Sequence, residues 1–247
     1  MKHKIFIMSN KGGVGKTTVA VNLAYSLSEE GYKVGLLDID IHGPNASEML
    51  GLKNKRVEVK NEKIVPVKFN DNLYLMSIAF LTENQDQPLI WRGPLKTKLI
   101  NQFINDVKWP KLDFLIVDLP PGTGDETITI MQILKEDSGS IIVSTPQKVS
   151  VMDAKKAINV SKKFGIPIIG LIENMSGEVF GIGTVEKLAK NTKVTFLGKL
   201  SMDKTITDFS NKGKPFMVNK KIKAYTEFKD IIKKIKKNLK LINFSIK

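Results

Sequence analysis

Lys11-Gly12-Gly13-Val14-Gly15-Lys16-Thr17-Thr18 is the stretch whose residue types and spacing speak most directly of chemistry. Glycines let the backbone curl until several N–H groups face one anion. A helix starting inside the stretch adds unpaired N–H groups and the positive end of its dipole. Lys16 can then reach the β- and γ-phosphates of a nucleotide, and the Thr17 hydroxyl can ligate Mg²⁺. The predicted binding loop is Asn10, Lys11, Gly12, Gly13, Val14, Gly15, Lys16, Thr17 and Thr18, and the predicted ligand is ATP with Mg²⁺.

Three acids complete the chemistry. Asp38 and Asp40 leave an apolar run two residues apart, which puts one carboxylate near the metal shell and the next near the γ-phosphate. Asp118 ends the run Leu112-Asp113-Phe114-Leu115-Ile116-Val117 and meets Mg²⁺ or its water. The metal ligands are therefore expected to be Thr17, Asp38 and Asp118. Alone, Asp38 and Asp40 would read as turn or helix-capping residues; behind a phosphate loop they read as functional.

These residues must be carried by particular elements. Ile5-Phe6-Ile7-Met8 predicts a short buried strand and Val19–Leu27 a helix, the strand–loop–helix context a phosphate loop requires. Val34–Asp38, Leu73–Ile78, Leu112–Asp118, Ser140–Thr145, Ile166–Ser176 and Val194–Gly198 predict further strands, with a helix through 150–164. Residues 53–72 alternate polar and β-branched side chains, which predicts a hairpin at a sheet edge. The pattern is that of an α/β fold: a doubly wound, mostly parallel sheet with helices on both faces. The 247 residues are read as one ATPase domain, residues 1–247, ending in a lysine-rich helix at about 221–242.

The chain has no cysteine, which removes disulfides, thiolate metal sites and cysteine catalysis. With His3 and His42 alone, no histidine-rich metal cluster can be built. No secretory leader or long apolar span is recognised, so a cytoplasmic location is expected. The formal net charge is +14, yet Arg56 and Arg92 are the only arginines. Bidentate phosphate and base recognition favours arginine, so this much lysine points to a solvated surface. The tail from Lys220 carries ten lysines, with Tyr225, Phe228, Ile231, Ile232, Ile235, Leu239 and Ile242 at helical spacing. Two readings follow: a final helix covering the sheet, or a basic amphipathic helix on an anionic membrane or nucleic acid.

The loop departs from the strict phosphate-loop pattern at Asn10 and places a second lysine, Lys11, before the glycines. That variant resembles the deviant phosphate loop of the MinD, ParA, nitrogenase iron-protein and Mrp ATPases. The resemblance implies that Lys11 reaches across a homodimer to the partner's nucleotide, and that Asp40 orients the attacking water. It also implies that the Gly122 N–H senses the γ-phosphate, that Asp125 holds that loop, and that Asn174 reads adenine, with 200–205 flanking the purine. Asp38-Ile-Asp-Ile-His-Gly-Pro-Asn45, Trp91-Arg92-Gly93-Pro94, Asp118-Leu-Pro-Pro-Gly-Thr-Gly-Asp125 and Glu173-Asn174-Met175-Ser176 follow in that order. Together they resemble the Mrp, or ApbC, family of iron–sulfur cluster carrier ATPases over nearly the whole chain.

That resemblance implies a nucleotide-sandwich homodimer, slow ATP hydrolysis with Lys11, Lys16 and Asp40 as catalytic groups, and a metallocluster assembly partner or recipient. It also implies a Cys-x-x-Cys pair just after Ser176. The chain reads Gly177-Glu178-Val179-Phe180-Gly181-Ile182-Gly183-Thr184 there instead. No iron–sulfur cluster is therefore expected on this chain alone. A MinD/ParA-like localisation switch on membrane or DNA, and a nickel-insertion ATPase of hydrogenase maturation, are the alternatives. Trp91 and Arg92 are candidates for a dimer or partner contact.

Overall fold

Alternation along each strand builds the molecule. Ile5 and Ile7 face one core while Phe6 and Met8 face the other; Phe114 and Ile116 are likewise opposed to Leu115 and Val117. A strand buried on both faces must be central in a sheet covered on both sides. The structure, a computed structural model, describes residues 2–40, 43–81, 100–101 and 103–242.

Its strands are β1 (His3–Met8), β2 (Val34–Asp38), β3 (Glu58–Lys60), β4 (Lys63–Val65), β5 (Val67–Lys68), β6 (Leu73–Ser77), β7 (Phe114–Asp118), β8 (Ser138–Ser144), β9 (Ile168–Ser176) and β10 (Phe196–Ser201). Eight form one sheet in the order β10-β9-β8-β1-β7-β2-β6-β5, parallel except where β5 pairs antiparallel with β6 at the edge. β3 and β4 form a separate antiparallel pair, so residues 53–72 supply a hairpin and an edge strand.

One face is covered by α1 (Lys16–Glu29) and the helix Lys223–Leu241; the other by the helices Asp125–Ile133, Lys148–Lys163 and Thr184–Thr192. β1 sits between β8 and β7, and the chain crosses from one side of β1 to the other after β7. Ligands bind beyond the carboxyl ends of strands at such a crossing, and the glycine loop lies there.

The last helix decides between its two readings structurally. Ala224, Phe228, Ile231, Ile232, Ile235 and Leu239 are buried in the core shared with α1. Asn238 Nδ2 donates to Ile169 O at 2.7 Å and Lys236 pairs with Glu30 at 2.7 Å. Its apolar stripe covers the sheet and is not available to a bilayer in this conformation. Among the described residues no helix is long and apolar enough to cross a membrane.

Candidate nucleotide site

The loop after β1 bends through Gly13 (φ 75°) and Gly15 (φ 88°), both left-handed. Position 15 has a second reason to be glycine: a Cβ there would sit 2.1 Å from Asn174 Nδ2. Ser9 Oγ donates to Lys11 O at 2.7 Å and closes the curl from inside. α1 begins at Lys16 with no side-chain cap, so its first N–H groups remain for a ligand.

Lys16 is buried, and its positive charge acts on Asp118. Thr17 Oγ1 donates to Asp118 Oδ2 at 2.6 Å. Asp118 Oδ1 is buried and makes no hydrogen bond among the described residues. A hydroxyl and a carboxylate in contact, with one carboxylate oxygen open, suit a hard cation that keeps several water or phosphate ligands. Burial first, then the negative charge of Asp40, raises the Asp118 carboxyl; Lys16 and the Thr17 hydroxyl pull it back, to about 6. A cation in contact would restore the ionised form.

Asp38 stands in register with Asp118 on the neighbouring strand. Its oxygens are engaged by the protein: Oδ2 accepts from Ala46 N at 3.1 Å and Ser77 Oγ at 3.0 Å, and Oδ1 from Asp40 N at 3.3 Å. Burial, then repulsion from Asp118, pushes its carboxyl well above the usual range. Asp38 thus organises the loop into α2 (Ala46–Met49), whereas Asp118 keeps one carboxylate oxygen without a hydrogen bond among the described residues. Asp40 is buried and lines the cleft.

Two expected nucleotide contacts point elsewhere in this structure. The Gly122 N–H donates to Ser9 O at 3.0 Å, so sensing a γ-phosphate requires exchanging that bond. Asn174 Nδ2 donates to Val14 O at 2.8 Å, tying the end of β9 to the loop's backbone. Asn174 nevertheless lines the cleft, of about 490 Å³, with Gly12, Lys16, Asp40, Met202 and Asp203. Asp125 opens the helix Asp125–Ile133 as an exposed residue where a negative charge suits the dipole. His42 and Trp91-Arg92-Gly93-Pro94 lie outside the described residues.

Three residues that sequence reasoning left without a role also shape the site. Asp153 accepts from Asn10 Nδ2 at 2.9 Å, and that bond, ahead of Lys156, holds its carboxyl below the usual range. Glu173, fully buried, accepts from Ser176 Oγ, Gly183 N and Val185 N at 2.8, 2.8 and 3.0 Å. Glu227 on the last helix accepts from Ser201 N and Oγ at the cleft mouth, at 2.8 and 2.6 Å. The Asp153 and Glu227 contacts join segments 143 and 26 residues apart, whereas Glu173 bonds residues 3 to 12 positions on and lies within a four-residue motif that carried a local signal.

Parallel sheet, left-handed glycine loop, buried lysine and hydroxyl–carboxylate pair define a phosphate-loop nucleoside-triphosphatase of the deviant kind. A family model described as ParA, NUBPL iron-transfer P-loop NTPase, matches residues 1–236, and the chain belongs to that family. An iron-sulfur cluster carrier protein of Methanocaldococcus jannaschii is 49% identical over 245 residues, 95% of this chain and 84% of that relative. A nucleotide-binding protein of Archaeoglobus fulgidus, solved with ADP, superposes with TM-score 0.78 and 34% identity over 92% of this chain and 91% of that one. The septum site-determining protein MinD of Pyrococcus horikoshii, solved with Mg-ADP, superposes with TM-score 0.76 and 25% identity over 100% of both.

Proposed function

We propose that the chain is a Mg²⁺-dependent ATPase switch that assists iron–sulfur or other metallocluster assembly, with the thiolates supplied by a partner. The observation that carries the ATPase reading is the Thr17–Asp118 contact at 2.6 Å beside buried Lys16, with buried Asp118 Oδ1 making no hydrogen bond among the described residues. The names of the relatives support the cluster part, and the absence of cysteine from the sequence puts the soft ligands on another protein.

In this reading the N–H groups from Asn10 to Thr18 cradle the phosphates, and Lys16 neutralises them. Thr17 and Asp118 would hold Mg²⁺, which would supply positive charge to the phosphates, while Asp38 positions the loop that carries Asp40. Asp40 orients the water, and Lys11, exposed at the loop's tip, acts on the nucleotide of a second copy. Gly122 gives up Ser9 O to meet the γ-phosphate, and Asn174, once it releases Val14 O, meets adenine. Residues 1–247 work as one domain, in the cytoplasm. With no covalent intermediate, positioning supplies the rate.

Calorimetry of ATP binding with and without Mg²⁺, followed by phosphate release, tests the ATPase. Tight Mg²⁺-dependent binding and slow release are expected; affinity indifferent to Mg²⁺ overturns it. Anaerobic reconstitution with iron and sulfide tests the cargo assignment. The chain is expected to hold no cluster by itself, and a stoichiometric iron–sulfur absorption spectrum from this chain alone would sink that part.

A further inference from the structure

Apart from the nucleotide cleft, a cavity of about 460 Å³ lies between the second half of α1 and the helix Lys223–Leu241. Tyr25, in its wall, stands nine residues past Lys16, ~13 Å further along α1 at the helical rise. The volume is that of a small-molecule site. Its floor is apolar and held in place. Met217 and Ile232 are buried there, and Phe216, next to Met217, packs edge-on against Phe228. Asn22 on α1 accepts from Met217 N at 3.2 Å and donates to Thr18 O at 2.8 Å, so the short turn Phe216–Val218 is fastened to α1. A floor fixed in this way needs little reordering on binding.

The rim is charged: four lysines, Lys220, Lys229, Lys233 and Lys236, against two acids, Glu29 and Glu30. Pairing sorts them. Lys236 is matched by Glu30 at 2.7 Å, and Lys233 by Asp230 at 3.0 Å. Glu29 accepts from the Tyr25 hydroxyl and keeps its charge. Lys220 and Lys229 form no ion pair among the described residues, and Lys229 Nζ lies 5.8 Å from the centroid of the Tyr225 ring. Two unmatched cations against one acid leave the rim positive above an apolar floor.

We propose that this cavity binds a small organic phosphate, its apolar body on Met217, Ile232 and the Tyr225 ring and its phosphate on Lys220 and Lys229. Lysine serves phosphate as a point charge, whereas a planar carboxylate is better held by the fork of an arginine, and no arginine lines the cavity. Phosphate also carries nearly two negative charges at neutral pH, so its attraction to two lysines outweighs repulsion by the single charge of Glu29. The apolar floor asks for more than a bare ion: inorganic phosphate would leave Met217 and Ile232 uncovered. The site owes nothing to the nucleotide loop, and it stands or falls apart from the ATPase reading.

Calorimetry of the full chain with phenyl phosphate tests this. One molecule per chain is expected to bind, equally well with and without Mg²⁺ and ADP. Lys220→Gln/Lys229→Gln should bind at least ~10-fold more weakly, through lost charge-assisted bonds, with melting unchanged. Lys234→Gln/Lys237→Gln removes the same charge from the outer face of the helix and should leave the affinity as it is. Tyr225→Leu, which keeps every charge, should weaken binding from the apolar side. Phenol, the same body without the anion, should bind at least ~10-fold more weakly than phenyl phosphate. Sedimentation with phosphatidate vesicles separates a free phosphate ester from a lipid headgroup, and the chain is expected to stay in the supernatant. Absence of saturable binding overturns the site. So does an equal loss in both lysine pairs, which would make net charge the cause, or displacement by ADP, which would put the probe in the nucleotide cleft. Retention on the vesicles that Lys220→Gln/Lys229→Gln abolishes would overturn the small-molecule assignment in favour of a lipid.

Discussion

Lys16 and Lys234 are the same side chain in opposite surroundings. Lys16 is 6% exposed at the carboxyl edge of the sheet, near Asp118, Asp38 and Asp40, two of them with carboxyls pushed upward by burial. Lys234 stands in water on the last helix, whose inner face buries Phe228 and Ile231 completely or nearly so. At the sheet edge the fold tolerates buried charge for the sake of a ligand. At the last helix it buries only hydrocarbon and leaves charge outside. The number of lysines therefore says little about function here, and their burial says a great deal.

The largest effect should come from the apolar side of that contrast. Phe228 packs edge-on against Phe216 with ring centroids 5.5 Å apart, and both are buried. Phe228→Ala should cost about 3–5 kcal/mol by leaving a cavity. Urea unfolding measures it, and a loss below about 1 kcal/mol would mean that the last helix is not part of the core. Lys16→Ala should leave the melting temperature near the wild-type value and lower ATP affinity by ~100-fold, through lost charge-assisted bonds to phosphate. Calorimetry reads this directly, and unchanged affinity would remove the contrast with Lys234.

Asp118→Asn should separate stability from function within the same edge. An acid whose pKa is raised in the folded state binds protons more readily folded than unfolded. Its contribution to stability therefore falls as pH rises from about 4, the unfolded value, through about 6. Above that window the full penalty is present, and the amide removes it. At pH 7.5 the nucleotide-free variant should be more stable than wild type, on the order of 1–3 kcal/mol, while Mg²⁺-dependent tightening of ATP binding disappears. The wild-type advantage of acid over neutral pH should shrink in the variant. A less stable variant would show that burial does not penalise Asp118.

The sheet, its parallel order and the glycine loop were legible because each rests on a local pattern: alternation that fills two cores, and a loop framed by strand and helix. Asp38 was harder. Its spacing from Asp40 suggested a metal ligand, but its three donors come from residues 40, 46 and 77, and the last belongs to a different strand. The same holds for Gly122, whose N–H is held by Ser9, and for Asp153 under Asn10. Hydrogen bonds between segments 39 to 143 residues apart, as from Ser77 to Asp38 and from Asn10 to Asp153, leave no local periodicity. The lysine-rich tail was ambiguous for the opposite reason: its helical stripe is plain in the sequence, and only packing reveals what the stripe lies against.

The smallest expected effect tests the outer face of that tail. Lys234 and Lys237 are exposed on the helix Lys223–Leu241, and neither forms an ion pair among the described residues. Glutamine has a helix propensity close to that of lysine, so Lys234→Gln/Lys237→Gln should change stability by less than about 0.5 kcal/mol. The formal net charge falls by two, from +14 to +12, and ATP affinity should stay as it is. Co-sedimentation with duplex DNA or anionic vesicles, with and without ATP, completes the test. Lysine without arginine offers weak, unspecific attraction that ~0.15 M salt largely screens, and the helix has no free apolar face to insert. Binding by the wild type that needs ATP and falls with salt, and that the double variant loses, would turn this solvated surface into a working one. Because Glu227 and Lys223 of this helix both bond Ser201 at the cleft, such binding would have a contact to be transmitted along, and Glu227→Gln should then weaken its coupling to ATP.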